Sequence, residues 1–209
     1  MDKTELTISA YNDSAQVFAA RFMDFETYRN KLYYFQCNYL NNCKSILDLG
    51  CGPGNISKLL FTANNTYQIM GLDLSEKMVD LAKHNVPNGT FIVCDIRNFN
   101  LNTIFDAAIA SFCIVHLTHD EAAFFLKNTC GHLSSGGYLY LTFMEGSGSS
   151  FERTCFSEKE IFFNYFQRSE VVKILMHCSM TIEEIFEETY VEKNGEEAKD
   201  IFIIAKSSI

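Results

Sequence analysis

The run Ile46-Leu47-Asp48-Leu49-Gly50-Cys51-Gly52-Pro53-Gly54-Asn55 limits what this chain can fold into more than any other segment. It reads as a buried strand ending in a carboxylate, then a turn with glycine at every second position, then a helix. Glycine permits a positive φ and lets backbone N–H groups approach a ligand closely. A helix that starts there turns the positive end of its dipole toward the same spot. The expected outcome is a nucleotide-like ligand held at the carboxyl end of the first strand of an α/β sheet.

The text that follows alternates strand and helix. Strand candidates are 45–49, 67–72, 90–94, 105–111 and 137–143, with helices at 55–63, 75–85 and 119–131. Alternation at this pitch implies parallel strands joined by crossover helices. Thr118-x-x-Glu121 and Ser157-x-x-Glu160 fit the capping-box pattern and mark two expected helix starts. The tail differs: 181–190 and 199–205 read as strands joined by the turn Glu192-Lys193-Asn194-Gly195-Glu196, so the sheet finishes in a hairpin. Ahead of the glycine loop, residues 10–40 read as two helices. The first carries Tyr11, Phe18, Phe22 and Phe25 on one side; the second carries Tyr28, Leu32, Tyr33, Phe35 and Leu40.

Charge narrows the partners. Net charge is −9, from 26 acidic and 17 basic residues, and no basic cluster interrupts it. That balance disfavours a nucleic-acid backbone or an anionic membrane surface and is permissive toward small molecules. The eight cysteines are scattered, with no C-x-x-C pair and no zinc spacing, and several sit in apolar runs such as Phe91-Ile92-Val93-Cys94. They read as reduced core residues of a cytoplasmic protein without a metal site. The start, Met1-Asp2-Lys3-Thr4-Glu5, has no secretory pattern, and the apolar run Ala107 to Val115 is too short to cross a membrane.

These residues resemble the class I S-adenosylmethionine-dependent methyltransferases, over nearly the whole chain. Asp48-x-Gly50-x-Gly52-x-Gly54 is similar to that family's first motif, whose loop passes under the methionine part of the cofactor. Asp73, about 20 residues on in Leu72-Asp73-Leu74-Ser75, stands where an acidic side chain binds the ribose hydroxyls. Cys94-Asp95-Ile96 closes the third strand, where the family's carboxylate takes the adenine amino group. The resemblance therefore implies S-adenosyl-L-methionine as cofactor. It implies contacts from Tyr11 of the first helix, from Asp48, Gly50, Cys51, Gly52 and Gly54 of the loop, and from Asp73, Leu74, Asp95, Ile96 and Ser111 at later strand ends. The implied fold is a Rossmann-like, doubly wound seven-stranded sheet with an antiparallel last strand, an N-terminal helical cap and an insertion after strand five. A dinucleotide site is the rival reading, but its G-x-G-x-x-G spacing fails here, because the third glycine arrives one residue early, at Gly54. Asp48 would also repel a pyrophosphate.

Methyl transfer asks mainly for alignment and the exclusion of water, with a general base only where the nucleophile is protonated. His116, just past strand four, is the candidate base or orienting group. Asp106 reads as a strand start and His119 as part of a helix cap. The expected acceptor is a small molecule methylated at N or O by in-line displacement; the alternatives are a protein side chain, or a non-catalytic member that only binds cofactor. Candidate substrate residues are Glu145, Arg153, Phe162, Tyr165 and Phe166, in a stretch read as a helix. Aromatic walls there suit a planar or cationic guest, whereas Arg153 suits a carboxylate. The expected layout is one domain, with a helical cap at 1–43, a cofactor core at 44–143, a helical lid at 144–180 and a terminal hairpin at 181–209, working as a monomer or homodimer.

Overall fold

Ser45–Leu49 forms β1, buried at four of its five positions, as expected for a strand covered on both faces. The computed structural model describes residues 2–24, 26–191 and 197–208, without the side chains of residues 26–28. The expected roles of Phe25 and Tyr28 and the turn 192–196 lie outside the described residues. Around β1 stand β2 (Gln68–Asp73), β3 (Thr90–Val93), β4 (Phe105–Ser111), β5 (Leu133–Glu145), β8 (Met180–Val191) and β9 (Glu197–Ser207). Together they make a seven-stranded sheet in the order β3-β2-β1-β4-β5-β9-β8. The first five strands in that order are parallel, and β9 runs antiparallel to both β5 and β8. The strand order reverses between β1 and β4, the place where open α/β sheets bind ligands.

Side-chain alternation along the strands builds a core on each face. Leu47, Ala108, Leu141 and Ile203 pack with α5 (His119–Gly131) and α6 (Arg168–His177) through Phe125, Leu126, Val171 and Leu175. Their neighbours Ile46, Ile109, Tyr140 and Phe202 pack the other way, against Leu32 and Phe35 of α2 (Glu26–Tyr39) and Leu60 of α3 (Asn55–Ala63). Tyr33 does not share that face; it is exposed to solvent. The third cluster joins Cys51 and Phe91 to Val79, Ala82 and Val86 at α4 (Glu76–Asn85). α1 (Lys3–Phe22) starts earlier than its apolar stripe suggests, with the Asp2 amide donating to Glu5 at 3.3 Å.

The insertion after β5 departs from the sequence reading. The expected helical lid is a two-stranded hairpin, β6 (Ser149–Arg153) and β7 (Glu160–Asn164), with Phe151 opposite Phe162. Ser157 caps no helix. Its amide donates to Thr154 Oγ1 at 3.2 Å, its hydroxyl donates to the Lys159 carbonyl at 3.0 Å, and the Lys159 amide donates back at 3.1 Å. Short hydroxyl side chains offer the backbone this alternative to a helix, and Ile161-Phe162-Phe163 suits a pleated surface better than a helical one. Of the expected lid only α6 is helical. β7 packs under α1, where the Phe162 amide donates to Thr7 Oγ1 at 3.2 Å.

Candidate functional site

The glycine loop is anchored to the end of β2 by its own backbone. Gly50 and Cys51 both donate to the Leu72 carbonyl, at 2.8 and 3.0 Å, and the Gly52 amide donates to Asp73 Oδ2 at 2.9 Å. All three loop glycines have positive φ: +67° at Gly50, +52° at Gly52 and +80° at Gly54. Their reasons differ. A Cβ at Gly50 would lie 2.5 Å from Cys113 Cβ, and one at Gly54 3.1 Å from Ala82 Cα, so both serve packing behind the loop. A Cβ at Gly52 would make only ordinary contacts, to Asn55 Oδ1 at 3.8 Å and the Phe18 ring at 3.9 Å, beside the space before the strand ends.

That space is a cavity of about 370 Å³, lined by Gly50, Gly52, Asp73, Leu74, Asp95, Ile96, Ser111 and His116 along the sheet. α1 closes it from above through Tyr11, Phe18 and Phe22, joined by Phe156 of the hairpin connection. The Tyr11 and Phe156 rings stack at 5.6 Å, and Phe18 meets Phe156 edge-on at 4.9 Å. Aromatic packing of this kind gives the cavity an apolar roof.

Asp73 is the carboxylate best placed to hold a ligand. Oδ2 accepts the Gly52 amide and Oδ1 accepts the Ser75 amide at 2.8 Å. Each oxygen can still accept a further donor. Burial raises its pKa, against the opposing pull of those amides. Ser75 also ties the roof down, since its hydroxyl donates to Asn12 Oδ1 at 2.7 Å.

Asp48 stands elsewhere. It is 1% exposed, lies behind the loop and outside the cavity wall, and accepts the Ser57 hydroxyl at 2.6 Å. Burial pushes its carboxyl up to about 6, with the Ser57 bond opposing. Cys51 is buried beside α4 and Gly54 backs onto Ala82, so neither meets the cavity directly.

Asp95 lies in the wall but is already engaged. Arg97 grips it through its amide at 2.9 Å and its guanidinium, whose Nη2 is 2.6 Å from Oδ2. Burial alone would raise the Asp95 pKa; the Arg97 hydrogen bonds outweigh it and hold the carboxyl below the ordinary range. Arg97 also donates to Thr4 Oγ1 at 3.0 Å and Glu121 Oε1 at 3.1 Å, joining the end of β3 to α1 and α5. Lys3 completes this network, 2.6 Å from Glu121 Oε2. Asp106 stays outside the site: its Oδ2 accepts the Lys44 and Ser45 amides at 2.8 and 2.9 Å.

His116 is held from both sides. Its Nδ1 lies 2.8 Å from the Phe162 carbonyl, which can only accept, so Nδ1 carries the proton. Nε2 then accepts the Tyr11 hydroxyl at 2.9 Å. Burial drives the imidazole pKa down to about 4, so the ring is neutral near pH 7. The histidine therefore faces the cavity with both nitrogens occupied, and its lone pair is spent on Tyr11.

The five expected substrate residues have other partners. Glu145 pairs with Arg168, at 3.2 and 3.0 Å, and Tyr165 donates to Glu152 at 2.8 Å. Phe166 is buried in the core, while Phe162 packs against Phe151. Arg153 is exposed at the end of β6. None of these five lines the cavity. The reading as a helix misplaced them, because hairpin pairing turns alternate residues to opposite sides. The wall instead gains Phe112, Met144, Phe156, Phe163 and Asp200. Phe112 carries φ +50°, held by its amide bond to Thr142 Oγ1 at 2.9 Å. Its strain sits at the end of β4, where functional sites store it.

Residues 46–137 match the family model described as a methyltransferase domain. The chain is 28% identical over 135 residues to the Putative methyltransferase 235L of Invertebrate iridescent virus 6, covering 65% of this chain and 49% of that protein. It is 38% identical over 72 residues to trans-aconitate 2-methyltransferase of Escherichia coli (strain SE11), covering 34% of this chain and 29% of that enzyme. The matched segments thus span about half or less of these relatives. An S-adenosylmethionine-dependent methyltransferase from Clostridium acetobutylicum ATCC 824 superposes with a TM-score of 0.71 at 19% identity, covering 95% of this chain and 99% of that one. The 1,6-didemethyltoxoflavin-N1-methyltransferase of Burkholderia thailandensis gives 0.73 at 15% identity, with 99% and 89% covered. The family match covers the strands and loop that form one side of the cavity, and the chain as a whole shares the fold of the S-adenosylmethionine-dependent methyltransferase it superposes on.

Proposed function

We propose that this protein, as one domain, binds S-adenosyl-L-methionine and transfers its methyl group to nitrogen or oxygen of a small-molecule acceptor. The observation that carries this reading is Asp73, whose two oxygens are fixed by the Gly52 and Ser75 amides while still facing the cavity. A carboxylate held that way suits a ribose diol. Gly52 lets the chain pass close beneath the rest of the cofactor, and Asp48 behind the loop supplies a negative field for an ammonium and a sulfonium group. Asp95 lines the cavity at the end of β3 beside its Arg97 partner, where an adenine amino group would meet it.

Held by Asp73 and the Gly52 turn, the cofactor would supply an electrophilic methyl carbon with a sulfur leaving group. The chain's own task is alignment and dehydration. Tyr11, Phe18 and Phe156 form the water-excluding roof. His116 acts through Tyr11, fixing its hydroxyl over the cavity, and is a positioning residue in this account. The roof suits a compact guest, and the net charge of −9 argues for a small molecule over a nucleic acid. All eight cysteines are free thiols, which suits a reducing compartment such as the cytoplasm.

The test is incubation with methyl-labelled S-adenosylmethionine and a pool of low-mass metabolites. Label should appear in molecules that pass an ultrafilter. Label found only on protein would move the reading to side-chain methylation, and binding without any transfer would make the protein a cofactor sensor.

A further inference from the structure

Beyond the glycine loop the cavity reaches the ends of β4 and β5, and its lining changes character. Leu32 of α2, Ile56 and Leu59 of α3, Phe112 after β4 and Met144 of β5 line it there. Leu32 belongs to the core cluster between the sheet and α2, and Ile56, Leu59 and Phe112 pack against that same cluster, so the four form one patch. Leu32 is buried, whereas Ile56, Leu59, Phe112 and Met144 each keep part of their surface open. In the order β2-β1-β4, the end of β4 stands two strand spacings from the end of β2, roughly 10 Å at about 4.8 Å each. A cofactor whose ribose sits at Asp73 turns its methyl group toward the β1–β4 crevice, which leaves this patch for the acceptor. This assignment rests on the methyltransferase reading.

Phe112 is the unusual member of the patch. It follows β4 at φ +50°, a left-handed conformation that glycine or asparagine adopts far more easily than a bulky side chain. Its amide is tied twice to Thr142 of β5, 2.9 Å from Oγ1 and 3.1 Å from the carbonyl oxygen. Thr142 is buried, so the sheet itself sets the turn. The ring lies on the α2–α3 side, edge-on to Phe202 at 6.2 Å, and also meets the cavity. A smaller residue would make this turn with less strain. What phenylalanine adds is a flat apolar surface at the point where the crevice opens. Two charged residues share this wall: Arg29 is 44% exposed and 3.8 Å from Asp24, and Asp200 is engaged within the protein.

We propose that Phe112 is a specificity-determining residue: its ring forms one face of an apolar slot, walled also by Leu32, Ile56, Leu59 and Met144, that takes the ring-bearing body of a compact acceptor. The acceptor's nucleophilic nitrogen or oxygen projects from that body toward the methyl group. Apolar burial and ring contact supply the recognition, so small polyols and sugars are poor ligands.

The experiment measures binding to the protein saturated with S-adenosylhomocysteine, using 2-phenylethanol and xylitol as probes of similar size. Both are uncharged, so neither Arg29 nor Asp200 decides the comparison. 2-Phenylethanol should bind at least about tenfold more tightly than xylitol. Phe112→Asn suits the left-handed turn and removes the ring; it should bring the two probes within about threefold of each other and leave S-adenosylhomocysteine affinity within about twofold. Phe112→Leu keeps apolar volume against Phe202 and tests the ring should Phe112→Asn not fold; its affinity for 2-phenylethanol should fall at least about threefold. Equal binding of the two probes, preference for xylitol, no binding of 2-phenylethanol, or an unchanged preference in a folded variant would each overturn the proposal. Failure of S-adenosylhomocysteine itself to bind would instead strike the methyltransferase reading, and the proposal with it.

Discussion

The Tyr11 hydroxyl lies 2.9 Å from His116 Nε2, across 105 residues of sequence, and joins the roof helix to the turn after β4. The Phe162 carbonyl fixes the opposite nitrogen as the donor, so the direction of the Tyr11 bond is determined. Tyr11→Phe should leave a buried ring nitrogen without its donor and cost about 1–3 kcal/mol of stability, read from denaturant unfolding. Turnover should fall with it, because the roof loses its fixed point. His116→Asn, which keeps a polar side chain at this position, should cost less turnover than His116→Ala.

Protonation of His116 should be visible in the acid range. Its folded pKa of about 4 lies below the ordinary 6.5, so the folded protein binds fewer protons than the unfolded chain. Its contribution is fully present above about pH 6.5 and is lost as pH falls toward 4. The imidazole resonance in an NMR titration should stay in the neutral position from about pH 8 down to 5.5. A midpoint near 6.5 would contradict the burial and the Tyr11 bond together.

Asp48 should show the opposite sign. Its folded pKa of about 6 lies above the ordinary 3.8, so its charged form is disfavoured in the fold. The stability it contributes is full below about pH 3.8 and is lost as pH rises through 6. Asp48→Asn keeps the acceptor for Ser57 and removes the buried charge. At pH 8 it should gain stability, by at most about 3 kcal/mol for a shift of roughly two units, while binding S-adenosylmethionine more weakly. Thermal unfolding at pH 5 and pH 8 separates the two effects, since the gain should fall to about half at pH 5, between the unfolded and folded pKa values.

The loop glycines should divide into two kinds. Gly50→Ala drives a methyl group to within 2.5 Å of Cys113 Cβ and should destabilise the fold strongly. Gly52→Ala has room for its methyl group but places it in the cavity at φ +52°. It should lower the melting temperature modestly and weaken cofactor binding by a larger factor. Parallel melting curves and cofactor titrations on the two variants check the division.

The glycine-loop side of the cavity was legible because its signals are local. A glycine loop after an apolar strand, and carboxylates at the next two strand ends, define Gly52, Asp73 and Asp95 within a short stretch of chain. The far half of the cavity wall is built by long-range pairing. Asp200 sits in a plain strand pattern, Lys199-Asp200-Ile201, and reaches the site only because β9 inserts antiparallel beside β5. Glu145 and Arg153 looked like substrate groups because charge near an aromatic stretch suggests recognition, yet Glu145 is neutralised by Arg168 from α6. The hairpin was missed for a physical reason as well. Ser157 and Glu160 have capping-box spacing, but the Ser157 hydroxyl closes a turn, and cross-strand pairing of Phe151 with Phe162 overrides the local pattern.

The central claim is that Asp73 and the glycine loop hold S-adenosylmethionine, and calorimetric titration of the wild type and Asp73→Ala tests it most directly. The wild type should bind saturably, and Asp73→Ala should weaken binding by about 100-fold, the loss of two charge-assisted hydrogen bonds, while keeping a cooperative unfolding transition. No heat of binding to the wild type at millimolar cofactor, or equal affinity in a folded Asp73→Ala, would contradict the account.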